Sequence, residues 1–352
     1  MMNMLRTAIN AGIDYLLQAQ CTDGHWEEFD LPIGRSDAWM TAYVGLALAT
    51  TQQTAELSAL SQVVKASCQQ ATRWLQQTRP YTHGWGFNSQ SGADADSTAQ
   101  GLWLLRTYGT VLPADEDWLY RHWQPDGGFA TYLTDDAWGI AHPCITPLVF
   151  LALPTHYQTQ LQSAVLAYVQ QTRQPDGTWP AYWWRSCHYS TYWNLMLLNY
   201  LGEPLDTQAH PVGFIEPLRV HSLFDLAHVT GIMVLKLGLS EVTLRLIEEI
   251  LRQQLPNGSW PGGLNLRVTH HQCEQPWQAP LGELYEDDNH LLTTATVIRI
   301  LSQVMERCSI LAIAATSKTS AMSKTSSFPH RSSFSIGAAV QNAKFFLASS
   351  YL

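Results

Sequence analysis

Two aspartates, Asp94 and Asp96, stand two residues apart in the stretch GWGFNSQSGADADSTAQGLWLL (84–105), directly ahead of a run with helical spacing. Carboxylates so placed fall in the first helical turn, where unpaired peptide N–H groups and the helix dipole favour negative charge, so capping alone accounts for them. The pair can also do chemistry. Once buried, each carboxylate is penalised by desolvation and double ionisation by the neighbour, so one member keeps its proton and serves as a general acid. A histidine or tyrosine donating to the oxygen that becomes negative would stabilise the conjugate base, and His188, His221, His228 and His290 are the histidines within possible reach, His228 in FDLAH the first choice.

The elements that must position this pair form an internal repeat. A turn with a glycine and an aromatic recurs as QCTDGHW (20–26), THGWGF (82–87), QPDGGF (124–129), QPDGTWP (174–180) and LPNGSWP (255–261). The spacing is too long and uneven for a simple solenoid. Polar-faced amphipathic helices are predicted at 5–20, 58–78, 157–173 and 240–254, and helices apolar on nearly all sides at 39–49, 97–108, 144–153, 189–201, 223–237 and 289–304. Outer and inner helices in this arrangement make an all-α chain, a single six-hairpin α/α barrel around a central cavity. Trp26, Trp85, Trp179 and Trp260 belong to the turns and are assigned to packing between repeats. Pro204, Pro211 and Pro217 predict irregular backbone over 202–222. The barrel is expected to occupy 1–310, followed by a flexible Ser/Thr/Lys-rich segment at 311–335 and a C-terminal helix at 336–352.

Composition limits the function classes. Of 352 residues 46% are hydrophobic and 14% charged, enough to bury a large core, and the net charge of −9 disfavours a nucleic-acid partner. The six cysteines follow no C-x-x-C spacing, so neither a disulfide framework nor a zinc ribbon is indicated and a cytoplasmic setting is expected. No run of eighteen apolar residues occurs, so the chain is expected to be soluble or peripheral to a membrane. Fourteen Trp and fourteen Tyr exceed what a core needs and suggest an aromatic-lined cavity.

The Q-x-x-D-G-x-W turns, together with D-A-D-S-T-A opening an inner helix, resemble the squalene–hopene and oxidosqualene cyclase superfamily over residues 1–305. With length for one barrel, the chain is most similar to the single-domain class II terpene cyclases. The resemblance implies a protonation-initiated cyclisation of a linear isoprenoid or meroterpenoid chain, without cofactor or metal, with Asp96 matching the aspartate that gives up the proton and Asp94 the first of the motif. Ser97 departs from the pattern, which usually has a third aspartate there, and Met40 stands where aspartate is usual in SDAWMT (36–41). Trp39, Phe87 and Tyr189 match residues that flank the first ring, face early cations and lie near the acid, respectively.

Carbocations must be kept from water by walls that attract positive charge without being nucleophilic, which aromatic faces do. Trp184, Tyr192, Trp193 and Tyr285, with Trp183, are the further aromatics expected to meet the substrate. Two other readings stay open. EDDNHLLTTA (286–295) superficially resembles the zinc-histidine segment of prenyltransferase β-subunits, with His271, Cys273 and His290 as conceivable ligands, although the D-x-C partner is absent. A non-catalytic barrel that holds a lipid or a partner protein is the other.

Overall fold

The structure is a computed structural model that describes residues 1–52, 54, 57, 60–80, 83–205, 220–278 and 282–324, with side chains to 310. Six inner helices, α2 (Ala38–Thr51), α4 (Ala95–Tyr108), α6 (Thr146–Ala152), α8 (His188–Leu201), α9 (Leu223–Leu237) and α11 (Leu291–Lys324), each pack on the next. The ring closes where α11 meets α2. Outside it lie α1 (Met2–Gln18), α3 (Ser61–Gln77), α5 (Pro113–Tyr120), α7 (Thr155–Thr172) and α10 (Glu241–Arg252). The two classes differ because of their sequences: α2 is buried along nearly all of its length, whereas α10 buries only Thr243, Ile247 and Ile250. The chain is therefore the expected α/α barrel.

One device builds each repeat. The indole Nε1–H of Trp26, Trp85, Trp179 and Trp260 donates to the carbonyl ten residues earlier, near the end of the preceding outer helix, at 2.7–3.0 Å. The peptide N–H of the same tryptophan donates to a threonine hydroxyl of the following inner helix, namely Thr41, Thr98, Thr191 and Thr294, at 2.9–3.1 Å. Phe129 uses Thr146 in the same way. Each turn thus fastens its two helices through bonds shielded from water, where losing one costs most. A Cβ at Gly24, Gly127 or Gly258 would strike the backbone of Gln70, Ala164 or Ala11, so these glycines, all at positive φ, let the turn close against the neighbouring outer helix.

Several features differ from the sequence reading. Helix α5 lacks the long apolar stripe of the other outer helices, and its signals are Pro113 at the first turn with Asp115 and Glu116 beside it. Helix α6 is only seven residues long. Two antiparallel hairpins, β1 (Glu28–Leu31) with β2 (Gly34–Ser36) and β3 (Leu264–Val268) with β4 (Glu283–Glu286), pack at one end of the barrel. Neither was anticipated, because their strands are short, and the partners of the second lie far apart in the chain. Helix α11 runs to Lys324, through part of the segment expected to be aperiodic. The 336–352 helix and most of the proline-rich 202–222 segment lie outside the described residues.

Candidate active site

Asp94 is the N-cap of α4, with the extended backbone that a cap requires. Its peptide N–H bonds Trp85 O at 3.0 Å and that of Ala95 bonds Thr131 O at 2.9 Å, so two different loops hold the motif in place. Both Asp94 carboxylate oxygens are occupied, Oδ1 by the Ser97 N–H at 2.7 Å and Oδ2 by the Ser97 hydroxyl at 2.9 Å. Asp96 lies one step further along the helix and accepts at Oδ1 from Gln100 Nε2, 3.1 Å away. Its other oxygen closes no hydrogen bond and faces a cavity of about 380 Å³ that Asp94, Asp96 and Ser97 all line.

Burial raises both carboxyls. Asp94 is pushed up to about 7, with the charge of Asp96 adding to desolvation and the Ser97 hydrogen bonds opposing it. Asp96 is pushed up to about 6, against the opposing hydrogen bond from Gln100 and the nearby Trp39 indole N–H. That N–H points toward the acid but makes no hydrogen bond. Asp96 keeps some accessible surface because it borders the cavity, yet its carboxyl is enclosed by protein. The pair accordingly retains a proton close to neutrality, and the oxygen nearest the cavity is the one without a partner.

The remaining walls are largely aromatic. Trp39 lies 6.2 Å from Phe87 and 6.0 Å from Trp184, centroid to centroid, and Trp183 packs edge-on against Tyr132 at 6.3 Å and near Trp138 at 5.5 Å. The hairpins close the mouth: Leu31 and Ile33 come from the first, Leu266 and Val268 from the second, and Gln90, Ser91 and Thr134 supply polar groups. The segment carrying Trp183 and Trp184 pairs with β3, where Arg267 donates to the carbonyls of Tyr182, Ala181, Trp184 and Pro276 and so fixes the aromatic wall.

Of the residues singled out from sequence, Asp94, Asp96, Trp39, Phe87, Trp183 and Trp184 line this cavity. Tyr189 does not; it stacks on the far side of Trp184 at 4.4 Å, with its hydroxyl buried and unpartnered. The sequence expectation for His228 is corrected. Its ring packs on Phe224, Tyr189 and Tyr192, Nδ1 bonds Phe224 O at 2.8 Å, and burial first, then the charge of Arg299, pushes it down to about 3. It is a neutral core histidine that makes no hydrogen bond to the acid, and the donor on Asp96 is Gln100. The i, i+4 spacing of Asp96 and Gln100 on one helix face was the signal for that pair.

Tyr192 and Trp193 are likewise placed in the core beneath the cavity rather than on its wall. The Tyr192 hydroxyl bonds Gln303 at 2.8 Å, and the face of Trp193 covers the Arg299 guanidinium at 4.9 Å. Both sit beyond the first turn of α8, deeper in the barrel than the cavity reaches. Tyr285 lies on β4 with its hydroxyl on Glu283 at 2.5 Å, off the cavity because the strand turns its side chain away. Tyr132, Trp138 and Thr131 line the cavity and were missed; they belong to an irregular loop whose periodicity carries no signal. His188 bonds Ser186 and His221 stands beside Asp225. His290 Nδ1 accepts from Gly262 N, while His271 faces Asp136, so the residues of the zinc reading do not converge among those described.

No family model matches the chain, and no curated protein matches it in sequence. Solved structures do. The chain is 26% identical to the type II terpene cyclase MstE from Scytonema, with 87% of this chain and 99% of that one covered at a TM-score of 0.74. A variant of MstE in complex with its substrate, geranylgeranyl dihydroxybenzoate, is 25% identical over 87% and 99% of the two chains, with a TM-score of 0.73. A protein from Actinoplanes is 25% identical over 86% and 99%, with a TM-score of 0.72.

Proposed function

We propose that this chain, which resembles the type II terpene cyclases along nearly all of its described length, is a protonation-initiated cyclase of a linear isoprenoid chain with Asp96 as its general acid. One observation carries the reading: a carboxyl whose proton affinity is raised by burial presents an unpartnered oxygen to an aromatic-lined cavity. Asp94 has a supporting role, since both of its oxygens are engaged by Ser97 and its charge raises the cost of ionising the pair. After proton transfer the positive charge passes along the chain between the faces of Trp39, Phe87, Trp183 and Trp184, which attract it and exclude water. The proton released at the last cation restores the acid, so the sequence of steps consumes no cofactor.

The cavity suits a chain with an apolar body and a polar head. Its inner part is aromatic and its polar side chains, Gln90, Ser91 and Thr134, lie at the mouth. The geranylgeranyl dihydroxybenzoate named for MstE has this design, which supports a meroterpenoid substrate here. No described helix is long and apolar enough to cross a membrane. Ile33, Leu133 and Leu264 are exposed around the mouth and support contact with a lipid surface from which the substrate is collected. The experiment is to incubate the purified protein with a polyprenyl hydroxybenzoate and look for an isomer of unchanged mass. Cyclised product from the native protein and none from Asp96→Asn, with binding retained, is the expected outcome; equal turnover by Asp96→Asn overturns the assignment of the acid.

A further inference from the structure

A second, smaller pocket lies behind the aromatic wall, and its chemistry does not depend on the cyclase reading. Successive side chains of an extended strand point to opposite faces. Along β3, Leu266 and Val268 line the main cavity, whereas Arg267 between them lines a pocket of about 150 Å³ that shares no residue with it. On the segment that pairs with β3, Trp184 faces the cavity and Arg185 the pocket. The backbone fixes both arginines, with Arg185 N on Asn265 O at 3.0 Å and Arg267 N on Trp183 O at 2.8 Å.

Two positive charges meet there without a negative one. No aspartate or glutamate among the described residues lines the pocket, and neither arginine forms an ion pair with a described residue. Two carboxylates nearby are engaged elsewhere: Asp176 accepts from the Thr178 N–H and hydroxyl, and Asp225 from the Ser186 hydroxyl and the His221 N–H. Arg267 is buried, and a guanidinium carries five N–H groups. Four go to the carbonyls of Tyr182, Pro276, Ala181 and Trp184, which leaves one N–H on Nη1. The Arg185 guanidinium has no hydrogen-bond partner among the described residues. Stapling the aromatic wall accounts for Arg267 alone. It does not account for a second guanidinium on the same pocket, where like charges oppose each other unless an anion lies between them.

We propose that this pocket binds a phosphate-class anion between the Arg185 guanidinium and the remaining Nη1–H of Arg267. Its volume equals that of about five water molecules at roughly 30 Å³ each, room for a phosphate or diphosphate and too little for a polyprenyl chain. Charge selects among oxyanions. Two guanidinium groups match a phosphate group, which carries about −1.5 to −2 near neutral pH, better than a carboxylate with its single charge. The planar fork of arginine also suits paired phosphate oxygens.

The test is a calorimetric titration of the full chain with inorganic phosphate and with diphosphate at fixed ionic strength, with acetate as the monoanion control. Saturable binding at one site per chain is expected, about tenfold or more tighter for phosphate than for acetate, with a melting temperature that rises with phosphate concentration. Arg185→Gln changes an exposed side chain and should weaken binding by about 10- to 100-fold, with part of the loss restored in Arg185→Lys. Vesicles of phosphatidylcholine with phosphatidic acid identify the source: displacement of bound phosphate assigns the anion to a lipid headgroup, and no displacement to a free ion, the site standing in both cases. Phosphate affinity unchanged in Arg185→Gln, equal affinity for acetate, or no saturable binding overturns the proposal. The cyclase reading is untouched by any of these results, since turnover and Asp96→Asn test it separately.

Discussion

Two inner helices begin with a pair of buried carboxyl groups, and only one pair faces a cavity. At α4 the pair is Asp94 and Asp96; at α11 it is Glu28, from β1, and Asp287, from the turn before the helix. Glu28 accepts from Asn289 N at 3.0 Å and Leu291 N at 2.9 Å, and Asp287 accepts from Leu292 N at 3.0 Å and Thr293 N at 2.7 Å. Burial, then the charge of Glu28, holds Asp287 well above the usual carboxylate range, as burial does for Asp94 and Asp96. The difference is coverage. All four oxygens of the α11 pair are under peptide N–H groups, so that pair closes the end of a helix, whereas Asp96 has one oxygen turned to the cavity. A raised proton affinity therefore does not identify the acid of this barrel; an oxygen that a substrate can reach does.

The comparison breaks most sharply on Asp96→Asn. Removing the proton donor should lower kcat by roughly 10²–10⁴-fold with binding retained. Asp287→Asn should leave kcat unchanged once the protein is folded, and a comparable loss there would mean that coverage does not separate the pairs. Asp94→Asn should lower the rate by about tenfold, as expected for changing the acid's proton affinity by about one unit. The pH dependence sharpens the same point. The acid acts in its neutral form, so kcat/KM should hold at low pH and fall as pH rises through the range of about 6 to 7 to which Asp96 and Asp94 are raised.

Stability should follow the same sign. A carboxyl raised on folding contributes stability that is full below its unfolded pKa of about 4 and is lost as pH rises through the folded value. The contribution of these carboxyls should therefore fall from about pH 4 upward, so the melting temperature of the native protein relative to that of Asp287→Asn should decline as pH rises. The smallest effect is expected far from both pairs. Thr191→Ala strips the hydroxyl that accepts the Trp179 N–H at 3.1 Å, and should cost about 1–3 kcal/mol in a denaturant titration without moving the pH profile.

Much of this was legible in the residue order, for reasons that particular elements make plain. The all-round apolar runs that became α2, α8 and α9 read as inner helices because their burial leaves no polar stripe, and the Gly/Trp turns read as repeats because each must place the same indole. Asp94 and Asp96 were found through their spacing at a helix start together with their match to the cyclase motif. Trp39, Phe87 and Trp184 reach the cavity because they sit at or just before the starts of inner helices, where the barrel opens. Tyr192 and Trp193 sit on an inner helix too, and nothing in their local sequence says that the cavity ends above them. His228 looked like a donor because its burial next to polar neighbours was unknown. Its Nδ1 is bonded to the carbonyl four residues back, and its Nε2 is buried without a partner.

The sequence by itself determined the helices, their division into an inner and an outer ring, and the pair of acids at the start of α4, because periodicity, capping and turn chemistry are local and act within a few residues of each group. Only the tertiary structure decided which of those acids has an open oxygen, that Tyr132 and Trp183 join Trp39 across the cavity, and that two short hairpins close its mouth. These contacts join segments far apart in the chain, as Trp184 pairs with Leu266 and Glu28 caps Leu291. Their energies depend on distance and desolvation in three dimensions, quantities that residue order does not carry.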